Sequence, residues 1–411
     1  MPPLRVLDNA NKSQQRLGYL KYLLARCMAA ETSSLQALGR DLASAVTRSV
    51  PAELTPALAE YVRLRLTDGV YKSLRAQVAG WDPTAPPMRV LVELQDLYLA
   101  SPFPLPSRTG KLVSEDWRKY PYLDIELGLI RSGTWSPLDR GVVLLRLTPK
   151  VELEAFNGYI PEGNPLVLSQ AQRILLCYCF LENDGDVLKP LYARLRDKDG
   201  FSDRDAGDLM PEILRAIVRP LGNRSLPAEE RGKLERLLKL ANSIEKWYGK
   251  PYTGGSAREE FIRLRLEPFV DLGLLLKGDP YRYEYGLSPQ GRAFFAVLDA
   301  LGGIGEFLDT AFFRAWAAAF GPAEALVRAW NEIKGPLGYA PIVDVALLAG
   351  SHALTQRDAY FEVASARQLL RDWQKESPTA LRFEVDRMGN MAHVRLLEPQ
   401  ASVQAINNQR I

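Results

Sequence analysis

The sequence predicts a mainly helical α+β fold in which short β-hairpins connect the helices. Leucines recur at helical spacing near the N-terminus, at Leu17, Leu20, Leu23 and Leu24. Residues 381–385 and 392–396 alternate apolar and polar side chains around a short turn, which is typical of two paired strands. A pattern containing Leu-Gly-Leu also occurs twice, each time between segments of helical character.

The Leu-Gly-Leu pattern organises the middle of the chain. Its first copy runs from Leu127 to Ile130 and its second from Leu272 to Leu275. Each copy precedes a polar turn, a β-prone run and a hydroxyl residue followed by proline, as in Thr148-Pro149 and Ser288-Pro289. Such a pair opens a helix, because the hydroxyl caps the first turn and proline is tolerated at the first position. Each copy therefore predicts a helix, a hairpin and a new helix.

The strands of the two copies are predicted from their composition. In the first copy, residues 127–130 form one strand, and the β-branched, apolar run at 142–147 forms the return strand. In the second copy, strands 274–276 and 281–287 flank a tight turn. A capping box of Ser256 and Glu259 begins the helix before this hairpin, and that helix ends near Val270.

A third unit of the same kind is predicted at the C-terminus. Thr355 and Asp358 are expected to cap a helix that ends near Trp373. The alternating strands 381–385 and 392–396 follow, with residues 387–390 as their turn.

The length of 411 residues suggests about two to four domains. Proline-rich connectors and loops divide the chain into regions. We predict an N-terminal helical region at 1–80, a first unit at 88–168, a helical region at 169–250, a second unit at 251–310, a helical segment with the third unit at 311–398, and a polar tail at 399–411.

Composition indicates an ordinary globular protein. Hydrophobic residues make up 47% and charged residues 25%, and the net charge of +3 permits nucleic-acid binding without requiring it. Cys27, Cys177 and Cys179 form no C-x-x-C pair, which favours buried thiols in a reducing compartment over disulfides or zinc. The start of the chain has no apolar secretory segment, and no apolar run reaches the ~18 residues of a membrane span. We therefore expect a soluble, cytoplasmic protein that contacts no membrane.

The units that carry these hairpins resemble the winged helix-turn-helix superfamily of prokaryotic proteins. The resemblance rests on the order of helix, hairpin and proline-opened helix and on the Leu-Gly-Leu step, and it covers about half of the chain. It implies tandem winged-helix domains, similar to those of regulators and accessory proteins of mobile-element and antiphage systems. In this superfamily the helix before the wing usually enters the major groove of DNA, while the wing contacts phosphates.

The resemblance implies double-stranded DNA as a partner. It also implies partner proteins of the same system and a homodimer, since many winged-helix proteins pair. The cations expected to bind DNA are Arg258, Arg265, Lys277, Arg382, Arg387 and Arg395.

An alternative is a scaffold subunit that uses winged helices only to bind proteins. Glu259, Arg263 and Glu267 lie at i, i+4 and i+8 and are expected to form an ion-pair ladder on an exposed helix face. Such a face is a poor surface for a phosphate backbone, so the ladder favours the scaffold.

No catalytic constellation, metal site or cofactor is expected, and the chain is predicted not to be an enzyme. Walker A and G-x-S-x-G motifs are absent from the sequence, and the glycines at 302–305 lack the third glycine of a dinucleotide site. Residues 197–208 resemble a calcium loop, but Ser202 stands where glycine is required and Asp208 where the long glutamate is required. We expect Ser202 to cap a helix instead, with Asp205 completing a capping box. His352 is expected in a loop and His393 in a hairpin.

Overall fold

The computed structural model of the protein describes most of the chain from residue 168 onward and shorter parts before it. The described residues are 4–7, 17–28, 123, 125–131, 136–150, 168–221, 228–247, 261–277, 284–316, 323–357, 361–387 and 389–397. They are mostly helical, with two small antiparallel three-stranded sheets, which confirms the predicted α+β class. Most of the predicted N-terminal helical region and all of the polar tail lie outside these ranges.

The first Leu-Gly-Leu copy lies between two helices. Helix α1 spans Gly18–Met28, and α2 spans Asp139–Arg146. The predicted return strand at 142–147 is therefore wrong, because α2 occupies it and buries Val143 and Leu144. Only a single bridge, between Ile130 and Pro137, represents the hairpin among the described residues of this copy.

The central unit (residues 170–300) contains the first sheet. Helix α3 (Gln170–Leu195) is followed by strand β1 (Phe201–Ser202) and by helices α4 (Asp203–Val218) and α5 (Ala228–Trp247). The short helix α6 (Glu267–Asp271), strands β2 (Leu275–Lys277) and β3 (Glu284–Leu287) and helix α7 (Pro289–Ala300) complete it. The strand order is β1-β3-β2, with Phe201 opposite Tyr285 and Leu276 opposite Gly286.

The C-terminal unit (residues 323–397) contains the second sheet. Helices α8 (Ile304–Thr310) and α9 (Phe312–Trp316) lead to it. The unit consists of α10 (Ala323–Ile333), β4 (Ala340–Pro341), α11 (Ile342–Arg357), α12 (Val363–Glu376), β5 (Leu381–Val385) and β6 (Met391–Leu396). The strand order is β4-β6-β5, so both sheets place the third strand in the middle. The predicted hairpin is confirmed to within one residue.

Several helix starts follow the sequence predictions. Ser202 accepts a hydrogen bond from the Asp205 N–H, and the Asp205 side chain accepts from the Ser202 N–H, which confirms the capping box. Ser288 caps α7 at the Gly291 N–H, with Pro289 at the first position. The cap predicted at Thr355 is wrong, because Thr355 lies inside α11, and Glu362 precedes α12. The predicted cap residues Ser256, Glu259 and Asp358 lie outside the described ranges.

The two Leu-Gly-Leu copies share one backbone geometry. Gly128 and Gly273 have φ angles of 71° and 76°, a left-handed conformation that favours glycine. The Leu138 N–H donates to the Leu129 carbonyl at 2.8 Å, and the Ser288 N–H donates to the Leu274 carbonyl at 3.1 Å. The repeat seen in the sequence is therefore also a structural repeat, although the first copy has only one bridge where the second has a hairpin.

Aromatic rings fill the core between the two units. Phe294, Phe307, Phe312 and Phe313 are fully or almost fully buried and pack edge to face, with ring centroids 5.3–6.0 Å apart. Phe312, Phe313 and Trp330 thus belong to the core, and the half-buried Trp316 packs against it.

Candidate nucleic-acid interface

The β5–β6 hairpin carries two arginines directly opposite each other. Arg382 pairs with Arg395 in the strand register, while the next pair, Phe383 and Val394, points to the opposite face. Leu381, Val394 and Leu396 are buried, so the apolar face packs on the core and the two arginines lie on the outer face, where both are exposed. Like charges in this position repel each other, which makes the outer face a surface that attracts anions.

The turn of the hairpin holds a third arginine. The Asp386 carboxylate accepts hydrogen bonds from the backbone N–H of Asn390 at 2.8 Å and from its side-chain amide at 3.3 Å. Gly389 has a φ of 80°, which closes the turn. Arg387 is exposed between them and has no hydrogen-bond or ion-pair partner in the described part of the chain.

Helix α12, immediately before this hairpin, is amphipathic. Its apolar face is buried and consists of Val363, Ala366, Leu370 and Trp373. Its opposite face is exposed and polar, with Ser365, Gln368, Arg371 and Lys375. The helix thus presents hydrogen-bonding side chains along about three turns.

One carboxylate organises the exposed face of α12. The Gln368 amide donates to both oxygens of Asp372, at 2.8 and 2.9 Å, and the Lys375 ammonium lies 3.4 Å from the same carboxylate. These contacts lower the pKa of Asp372, with the Gln368 hydrogen bond as the main cause. Arg371 is exposed next to Asp372 and makes no hydrogen bond or ion pair within the ranges that the structure describes.

Two of the cations predicted to bind DNA have side chains with little or no exposure in the central unit. Arg265 is 0% exposed and forms an ion pair with Asp184 at 2.7 Å. Lys277 donates to Glu267 at 2.7 Å, and the Tyr285 hydroxyl contacts the same carboxylate. Neither side chain is therefore positioned to contact a phosphate backbone. Arg258 lies outside the described residues.

The segment before the β2–β3 hairpin is buried throughout. Every residue from 261 to 272 is buried, including Arg263 at 3% and Glu267 at 0% exposure. The predicted exposed ion-pair ladder is therefore wrong for these two residues, and Glu259 lies outside the described ranges. Arg263 instead contacts Asp203 on α4 at 2.9 Å, because a charge that leaves water needs a partner.

Within the described ranges, the histidines and acidic groups do not assemble a metal site. His352 lies in α11 with 9% exposure and close to Glu332, so the predicted surface loop is wrong, whereas His393 is in β6 as expected. No group of three or more His, Cys, Asp or Glu side chains with ligand geometry occurs among the described residues. Residues 197–208 contain the cap of α4, at Ser202, as predicted.

Comparisons with protein-family models, with curated proteins and with solved structures found no match in any of the three searches. None of the helices in the described ranges is long and apolar enough to cross a membrane.

Sequence reasoning missed the exposed face of α12. Gln368, Arg371 and Lys375 are absent from the predicted binding residues because only the hairpin of this unit was expected to contact phosphates. The signal was present in the sequence, since the buried residues 363, 366, 370 and 373 recur at helical spacing and leave the polar residues on the other side.

Proposed function

We propose that the chain is a winged helix-turn-helix protein that binds double-stranded DNA through its C-terminal unit. The order helix, strand, helix, helix and hairpin, with the third strand central in the sheet, supports this proposal. The central unit has the same strand order, with the short helix α6 added before its hairpin. In this arrangement α12 is the helix that enters the major groove and the β5–β6 hairpin is the wing.

The difference between α12 and its counterpart carries the proposal. Helix α12 exposes a polar face with an uncommitted arginine, whereas the segment 261–272 of the central unit is buried and its cations are paired with carboxylates. A groove-reading helix must be accessible, so only the C-terminal unit meets this requirement among the described helices that precede a hairpin.

The hairpin arginines are the proposed backbone contacts. Arg382, Arg387 and Arg395 are exposed, and four residues separate the end of α12 from the start of the hairpin. Among the described acids of α12 and the hairpin, Asp372 is bound by Gln368, Glu384 lies 3.6 Å from His393, and Asp386 is bound in the turn. This leaves the arginines as the groups that meet phosphates. The protein would act as a regulator or accessory component of a prokaryotic system such as antiphage defence.

Binding to labelled duplex at about 50 and 200 mM salt tests this function. Wild-type affinity should fall steeply with salt, and Arg387→Glu and Arg395→Glu should each weaken binding at the lower salt. Arg146→Glu and Arg219→Glu change the same charge at exposed positions of α2 and just after α4 and serve as controls. Failure of the wild-type chain to bind at the lower salt, or equal losses in the controls, would overturn the proposal.

A scaffold role is the second candidate, and the buried helix of the central unit favours it. In such a winged-helix unit, the helix that would enter the DNA groove is buried within the protein. The unit can then hold proteins together but cannot recognise DNA. Binding to duplex DNA distinguishes the two functions. If the protein is a scaffold, we expect no salt-dependent binding to duplex at either salt concentration.

A further inference from the structure

Arg371 occupies the middle of the exposed face of α12. Its position lies between Gln368 and Lys375 on that face. Arg371 is exposed, and its guanidinium has five donors in a rigid fork. Within the described residues it has no hydrogen-bond acceptor, so these donors remain for a ligand.

The neighbours of Arg371 are already engaged with one another. The Gln368 amide bonds both oxygens of Asp372, and Lys375 lies within ion-pair distance of the same carboxylate. An adenine contact by Gln368 would require that amide to leave Asp372. Of the long polar side chains on this face, Arg371 is therefore the one that can bind a base without breaking an existing contact.

Asp372 also decides what Arg371 can bind. Asp372 is close enough to Arg371 for the two charges to interact, so a phosphate bound by Arg371 would be repelled by this carboxylate. A guanine edge offers two neutral acceptors, O6 and N7, in the geometry that a guanidinium fork matches. The adjacent carboxylate thus disfavours a backbone contact at Arg371 while it tolerates a base contact.

We propose that Arg371 recognises a guanine in the major groove through O6 and N7. This inference rests on the proposed DNA binding and adds the base that is read. Because the other long side chains of the face are engaged, recognition is restricted to a short, guanine-containing element, and most of the affinity comes from the backbone contacts.

Selection from a random duplex pool tests the inference, with wild type, Arg371→Lys and Lys375→Gln compared. Arg371→Lys keeps the charge but loses the fork, and Lys375→Gln removes one charge from the same face. Wild type and Lys375→Gln should both enrich guanine at one position, and Arg371→Lys should lose that preference. On the enriched site, Arg371→Lys should weaken binding by about 5- to 150-fold, and replacement of the guanine by 7-deazaguanine should weaken wild type.

The outcomes separate this inference from the proposed function. If wild type binds no duplex at about 50 mM salt, the DNA-binding function itself fails, and the inference fails with it. If wild type binds but enriches no guanine, or if Arg371→Lys keeps the guanine preference, DNA binding stands and the role of Arg371 is overturned. A uniform loss of affinity on all sequences would likewise identify Arg371 as a backbone contact and overturn it.

Discussion

The Arg265 guanidinium donates to the Asp184 carboxylate at 2.7 Å, in an ion pair whose two side chains are both 0% exposed. Arg265 also donates to the Leu7 carbonyl at 3.0 Å, and the Leu7 N–H donates to Asp184 at 2.9 Å. The pair therefore joins α3, the segment before α6 and the N-terminal residues. Burial raises the pKa of Asp184 to about 6, although Arg265 opposes the rise.

Removal of Arg265 should destabilise the protein strongly. Arg265→Met leaves Asp184 buried without its cation, so we expect the free energy of unfolding to fall by about 3–5 kcal/mol near neutral pH. The loss should be smaller at about pH 5, where Asp184 can be protonated. Arg194→Met is the control, because Arg194 pairs with Glu212 on the surface and should change stability by less than about 1 kcal/mol. Equal losses in urea denaturation of the two variants would contradict this account.

The repeated turn predicts that Gly141 and Gly291 cannot be replaced. A Cβ atom at Gly141 would overlap with the Leu129 carbonyl oxygen, and one at Gly291 would overlap with that of Leu274. Alanine at either position should lower the free energy of unfolding by about 1–3 kcal/mol or more, because backbone has to move. Gly232→Ala, inside α5 and without a close contact, should instead be stabilising by about 0.5–1 kcal/mol. Thermal melts of the three variants test the difference, and a stable Gly291→Ala protein would show that the turn is not rigid.

Glu362 should make stability depend on pH. Its carboxylate accepts from the N–H groups of Phe313 and Arg314, at 3.3 and 2.7 Å, yet burial raises its pKa to about 7. The folded protein holds the proton of the Glu362 carboxyl group more tightly than the unfolded chain does. The stability that this protonated group contributes is therefore fully present below about pH 4.5 and is lost as the pH rises to about 7.

Glu362→Gln should remove this part of the pH dependence. The variant has no charge to bury, so its stability relative to wild type should increase from about pH 5 to about pH 8 by roughly 1–3 kcal/mol. Glu235→Gln, at an exposed position of α5, is the control and should show no such trend. Parallel curves for wild type and Glu362→Gln would argue against a raised pKa.

The cysteine thiols should be unreactive in the folded protein. Cys177 and Cys179 are completely buried, and burial raises the pKa of Cys179 to about 11 and that of Cys177 well above its usual value. Since the thiolate is the nucleophile, we expect no alkylation of either residue at about pH 8 until denaturant is added. Mass spectrometry after a short pulse of iodoacetamide measures this, and rapid native labelling would mean that α3 opens readily.

The sequence was most informative where periodicity and capping agreed. The β5–β6 hairpin follows from strict alternation, and the starts of α4 and α7 follow from Ser202 and Ser288. It was misleading at residues 142–147, because a short apolar run fits a strand or a buried helix equally well. Tertiary contacts decide there, since α2 packs Gly141 against the Leu129 carbonyl.

The binding cations were harder to predict, because their availability depends on distant partners. Arg263 and Arg265 are neutralised by Asp203 and Asp184, which precede them by 60 and 81 residues. Helical spacing cannot show such partners. The hairpin arginines could be predicted to be exposed, since they alternate with apolar residues that need the core. Arg371 could not be selected without knowing that Gln368 and Lys375 are engaged with Asp372.

Hydrogen–deuterium exchange with and without a duplex of about three helical turns tests whether α12 and the β5–β6 hairpin bind DNA. We expect slower exchange on DNA binding in α12 and in the β5–β6 hairpin, with no change at residues 261–277. Protection of the central unit, with α12 and the hairpin unaffected, would contradict it.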